Sequence, residues 1–366
     1  MLLLIHMSNE TKTKKAIFIV LIAIVICGFI LYGLMHKADT PAEPTVEDDT
    51  QLEPQPEQEP VCEIVEHNKV YLAIDEAYIL DSEGYISQDN NIAKVEGNKV
   101  IGVGVGNVNL SNDCNSYEIE VTDMITAPYI SEDKEQLPCG QYTIEENEYL
   151  DEVLASKIRN VGYKTRAGAV EAGRFLLLQF PYHMAYFSEN GRLPYCEAEG
   201  RYYHEGLYLN TYKIEKEGIT EIINGPAEWG CRIFSNPANC YQINSLDCSG
   251  FVTWCLVNGG FDPGDLGAGI SEAYDYSDIG PRHEITMESL DEVKVGDLFG
   301  EDGHISILIG INDGKYYIAE SNLGIDIRVR VSTKQELIDS NFYAWIDMEE
   351  FYNHQDGKLT DFWTLK

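Results

Sequence analysis

Between residues 61 and 126 apolar and polar positions alternate in short runs. These are Lys69-Val70-Tyr71-Leu72-Ala73-Ile74, Ala93-Lys94-Val95, Lys99-Val100-Ile101-Gly102-Val103 and Tyr117-Glu118-Ile119-Glu120-Val121. Turn-forming residues separate them, so the pattern predicts a series of short β-strands. The period changes after about residue 143. Residues 148–160 and 165–179 carry apolar side chains at helical spacing, the second with Thr165 as a candidate N-cap and Phe175-Leu176-Leu177-Leu178 near its end. Residues 181–245 are rich in Tyr and Gly with weak periodicity and read as an irregular insertion. A further helix follows Asp247 and stops at Gly259-Gly260. Strand patterns return at 297–299, 304–309, 315–321, 325–331 and 342–348. A helix packed on a following antiparallel sheet is an α+β arrangement.

The N-terminal region has another character. Residues 16–35 (AIFIVLIAIVICGFILYGLM) form an uncharged run long enough to cross a bilayer. Lys12, Lys14 and Lys15 precede it, and only His36 and Lys37 follow before acids take over. The positive-inside rule predicts a cytoplasmic N-terminus with everything after about residue 37 outside. The run is long for a signal peptide and no small-x-small cleavage site follows it, so a signal-anchor helix is expected. Residues 38–60 hold five prolines, eight acids and no basic residue. They read as an extended acidic spacer, reaching roughly 70 Å at about 3.1 Å per residue. The expected organisation is therefore a tail and transmembrane helix over 1–37, a linker over 38–60, a sandwich over 61–126 and a catalytic domain over 127–366, with the insertion at about 183–245.

Acidic residues outnumber basic ones 61 to 26 in a chain of 366, a net charge of −35. With no basic stripe to neutralise phosphates, nucleic acid is excluded as a partner. Nine cysteines exceed what a cytosolic enzyme needs, and disulfides are permitted outside the membrane. Cys62 with Cys114 and Cys231 with Cys240 are expected pairs by proximity of segments, although sequence does not fix connectivity. No pair of histidines shows metal-ligand spacing, and neither a metal nor another cofactor is expected.

The candidate chemistry lies in Asp247-Cys248-Ser249-Gly250-Phe251 and the later Gly303-His304. With Asp247 as N-cap, Cys248 falls in the first helical turn, where unpaired N–H groups and the helix dipole favour a thiolate and an oxyanion. His304 opens a strand on which it shares a face with Ser306 and Leu308, and it is the candidate base.

These two motifs, with Val295-Gly296-Asp297-Leu298, Ile305-Ser306-Ile307 and Tyr317-Ile318-Ala319-Glu320-Ser321, resemble the NlpC family of papain-like cysteine endopeptidases of the bacterial cell wall. The resemblance is specific over 246–325 and extends over about 160–366. It implies a papain-like domain that cleaves peptidoglycan stem peptides, typically at the amide joining γ-D-glutamate to the diamino acid. It makes Cys248 the nucleophile and His304 the base. The third residue is commonly His, Asn or Gln; here the strand offers Glu320, with Asn322 two positions on. Asp247 and Ser249 become candidate substrate-binding residues, Asp247 equally a simple cap. The family's Pro-Tyr-x-Trp-Gly-Gly stretch is approximated by Pro226-Ala227-Glu228-Trp229-Gly230-Cys231, with Ala in place of Tyr. Tyr182 supplies the missing ring if residues 183–228 are inserted between the two halves of the motif, and Tyr241 is a second candidate. The strands at 61–126 resemble a bacterial immunoglobulin-like domain, which implies cell-surface protein partners. Together these readings give an extracellular wall hydrolase held at the membrane by one helix. An amidase of another wall bond and a non-catalytic wall-binding protein are the alternatives.

Overall fold

The computed structural model describes residues 65, 67–130, 134, 136–186, 205–216, 226–232, 243–264, 266, 279–301, 303–340, 342 and 344–361. The chain divides into two units, Met1–Val61 and Cys62–Lys366, and all described residues belong to the second. The expected membrane span, the acidic spacer, most of the insertion, Cys62, Cys240 and Tyr241 lie outside the described residues. Among those described, no helix is long and apolar enough to cross a membrane.

The first part of this unit is built from seven short strands: β1 (Val70–Ala73), β2 (Ala77–Ile79), β3 (Ile86–Ser87), β4 (Ala93–Glu96), β5 (Lys99–Gly102), β6 (Gly106–Ser111) and β7 (Ser116–Thr122). They form two sheets, ordered β1-β7-β6-β3 and β2-β5-β4, with β1 parallel to β7. Val70, Leu72, Val100, Leu110, Ile119 and Val121 fill the core between them. All four strands expected from the alternation are present. β2 and β3 are too short to show a period, and β6 is interrupted by Gly and Asn, residues with weak strand preference.

Helix α1 (Ile144–Val161) starts at a capping box in which Thr143 and Glu146 satisfy each other's backbone N–H. Its Lys157 donates to Tyr71 O at 3.0 Å and to Glu76 Oε1 at 2.8 Å, so β1 docks directly on this helix. Helix α2 (Arg166–Arg174) is capped by Thr165 as expected, but it ends in a π-helical turn, Phe175–Gln179, rather than continuing as regular helix. A short α3 (Thr211–Lys216) follows, then α4 (Cys248–Asn258). Gly259 ends α4 where a Cβ would come within 2.8 Å of Ala169, so its lack of a side chain lets α2 and α4 approach closely.

A six-stranded sheet comprises β8 (Arg282–Glu284), β9 (Leu298–Glu301), β10 (His304–Asn312), β11 (Lys315–Asn322), β12 (Asp326–Thr333) and β13 (Ala344–Ile346). Helix α5 (Lys334–Ile338) intervenes between β12 and β13. The order is β12-β11-β10-β9-β13-β8, antiparallel at every pairing. Ile305, Ile307, Ile309 and Ala319 pack with the helices, while Phe299, Leu308, Ile318, Phe342 and Trp345 fill the opposite face. The fold is thus mixed α+β, as expected.

One cysteine pairing differs from expectation. Cys231 is bonded to Cys139, not to Cys240. Sequence proximity misled here because residues 226–232 pack against the Pro138–Gly140 turn, where Gly140 N donates to Glu228 at 3.1 Å. Cys114 is also disulfide-bonded.

A buried ion pair fastens α2 to the sheet. Arg166 Nη1 donates to Asp297 Oδ1 at 2.9 Å and Nη2 to Glu349 Oε2 at 2.7 Å, with the guanidinium 4.9 Å from the Tyr352 ring centroid. Asp297 also accepts from the N–H groups of Lys294 and Met348. Asp297→Ala strips Arg166 Nη1 and the Lys294 and Met348 N–H groups of their buried acceptor while Glu349 still faces the guanidinium, and it is expected to lower stability by about 2–3 kcal/mol, read from urea unfolding midpoints. A loss below about 1 kcal/mol contradicts this role for the pair.

Candidate active site

Asp247 is the N-cap of α4, and its Oδ1 accepts from Gly250 N at 2.7 Å. Ser249 Oγ donates to the same oxygen at 3.3 Å. The capping role expected of Asp247 is therefore present, and Ser249 is spent on reinforcing it. Phe251 N makes the first intrahelical bond, to Asp247 O. The N–H groups of Cys248 and Ser249 stand ahead of that bond, in the first turn, where backbone donors have no partner within the helix.

Cys248 is a free thiol, 4% exposed, and its Sγ lies 3.9 Å from Gly303 O. Gly303 adopts φ +77°, turning the chain sharply into β10 so that His304 opens the strand beside the start of α4. Ile307 opposes Ala319 across β10 and β11, a register that puts Glu320 on the same face as His304. His304 Nε2 lies 2.9 Å from Glu320 Oε2. A carboxylate only accepts, so Nε2 carries a proton and the other ring nitrogen is left for the hydrogen bond to Cys248. Asn322, the alternative third residue, sits two positions on at the end of β11, opposite Asp326.

Burial alone lowers the His304 pKa, but hydrogen bonds to Cys248 and Glu320 and the Glu320 charge outweigh it, pushing it up from 6.5 to about 9. For Glu320 burial acts upward. Its bonds to His304 and Arg328 prevail and hold it below the usual carboxylate range. Arg328, directly opposite on β12, donates from Nε to Glu320 Oε1 at 3.0 Å. The thiol, the imidazole, the carboxylate and the guanidinium thus form one chain of contacts, suited to a nucleophile paired with a proton carrier.

Three contributors were not foreseen. Arg328 carries only a weak signal, being one of two arginines in the alternating run Ile327-Arg328-Val329-Arg330-Val331. Ser321 points opposite to Glu320 and donates to Leu246 O at 2.7 Å, tying β11 to the residues that lead into Asp247. Phe342 stacks on His304 with ring centroids 6.2 Å apart. The second free thiol, Cys255, is fully buried, and burial pushes its pKa well up, the signature of an inert core cysteine.

Tyr182 and Trp229 come together on Phe180, with centroids 5.7 Å and 4.4 Å from its ring. Tyr182 is half-buried and edge-on to Tyr142, whereas Trp229 is fully buried and also touches Phe175. The structure therefore places the Trp229 ring in the core, leaving Tyr182 as the member with an exposed edge. No described group of three or more His, Cys, Asp or Glu side chains is arranged to hold a metal ion.

Compared with protein-family models, curated proteins and solved structures, the chain matches none.

Because the folded His304 pKa lies above 6.5, its interactions add stability that is complete below about 6.5 and lost as pH rises through about 9. Glu320→Gln removes the raising charge, so the His304 pKa falls by at least about one unit in an NMR titration. A value still near 9 in that variant contradicts the pairing.

Proposed function

We propose that this protein is a membrane-anchored cysteine endopeptidase of the bacterial cell wall, cleaving an amide in peptidoglycan stem peptides. The favoured bond joins γ-D-glutamate to the diamino acid. The observation that carries this reading is the Cys248–His304–Glu320 chain at the start of a capped, buried helix. Support also comes from the expected anchor, the acidic spacer and the resemblance of residues 246–325 to papain-like wall peptidases. On this reading the six-stranded sheet and α4 are the halves of a papain-like domain, and the preceding sandwich is an immunoglobulin-like module facing other surface proteins.

The chemistry follows from the placement of the groups. The Cys248 thiolate, paired with imidazolium, adds to the amide carbon, and the oxyanion is met by the N–H groups of Cys248 and Ser249. His304 gives its proton to the departing amine. Water, giving a proton back to His304, then hydrolyses the thioester and frees Cys248. Glu320 keeps Nε2 protonated and the ring aimed throughout. Asp247 and Ser249 act chiefly as the cap that holds Cys248 in place.

Mass spectrometry of peptidoglycan incubated with the purified protein tests this directly. New fragments are expected with the wild type, their masses naming the bond. Cys248→Ala, with unchanged circular dichroism, lowers their release by at least about a thousandfold. Fragments produced equally by both proteins overturn the assignment.

A further inference from the structure

We infer that Arg328 is a positioning residue for this reaction: it clamps the oxygen of Glu320 that His304 does not use, fixing the carboxylate ionised and aimed at the imidazole. The inference rests on the proposed cysteine-peptidase reading of the site.

Glu320 is completely buried, so each of its oxygens needs a donor. Oε2 faces His304 Nε2 at 2.9 Å and Oε1 faces Arg328 Nε at 3.0 Å. The two strands bring the pair together without any loop, because Glu320 and Arg328 are direct partners in the β11–β12 register. The charged groups facing Glu320 are thus His304 from β10 and Arg328 from β12, with Cys248 of α4 beyond the imidazole. Arg330, next on the same face of β12, is held elsewhere, 4.7 Å above the Phe342 ring. Without the guanidinium, Oε1 has no cation and the carboxyl can take a proton or rotate. Either change removes the negative partner that keeps the His304 proton in place. The Arg328 side chain is 41% exposed, so it tolerates substitution without opening a core cavity.

The test uses the full chain and a readout independent of any wall substrate. The rate of Cys248 alkylation by iodoacetamide is followed against pH, with peptide mapping to separate Cys248 from Cys255. Once Glu320 no longer holds the His304 proton, the imidazolium that supports a Cys248 thiolate is lost, so Arg328→Gln moves the acid limb of the profile to higher pH. The expected shift is about one unit, a tenfold slower reaction on that limb. Arg328→Lys, which keeps the charge, returns the limb most of the way, and Arg330→Gln leaves it in place. An unmoved limb in folded Arg328→Gln, or an equal shift in Arg330→Gln, overturns the proposal. If the protein releases no wall fragments yet shows these shifts, the peptidoglycan reading fails and the role of Arg328 stands. With an active substrate, kcat falls and KM holds in Arg328→Gln.

Discussion

Glu320 is fully buried, and a buried carboxylate persists as an anion only when both oxygens meet donors. That requirement is met from the two neighbouring strands, by His304 on one side and Arg328 on the other. The pairing fixes the histidine tautomer, because only a protonated Nε2 can serve Oε2, and so it decides which ring atom is presented to Cys248. The tautomer and aim of the imidazole beside the thiol are therefore set by a carboxylate that the thiol does not touch.

The scaffold exists to keep that chain of contacts short. Cys248 rides on a helix whose first turn is held by Asp247 and whose far end presses a glycine against α2. Arg166 and Asp297 lock α2 to the strand that precedes His304. Ser321, one residue after Glu320, holds the backbone leading into Cys248. Successive residues of β11 thus serve both members of the pair, one from each face. A slip of one residue in the β10–β11 register would turn Glu320 away from His304 altogether.

Much of this arrangement was legible before any coordinates. A cysteine behind a good N-cap and a histidine behind a glycine turn are local signals, and both elements formed where the pattern put them. Glu320 came from the family resemblance with Asn322 left open, because the two share a strand face and only the His304–Glu320 contact separates them. Arg328 was not legible, because its role depends on cross-strand register, and no local spacing encodes that. The Cys139–Cys231 bond escaped for a similar reason: the partners are 92 residues apart, and the nearer cysteine in sequence was the wrong guide. Trp229 shows a third limit, since a motif position does not say whether the ring faces a cleft or the core. It is the core here.

The central claim is that Cys248 forms a covalent bond with its substrate. Acid-quenched mixtures of the protein with a purified stem peptide, digested and mapped by mass spectrometry, test it most directly. The account predicts an acyl mass on the peptide containing Cys248, present during turnover and gone once substrate is consumed. Cleavage that proceeds at full rate with Cys248 unmodified at every time point would contradict it.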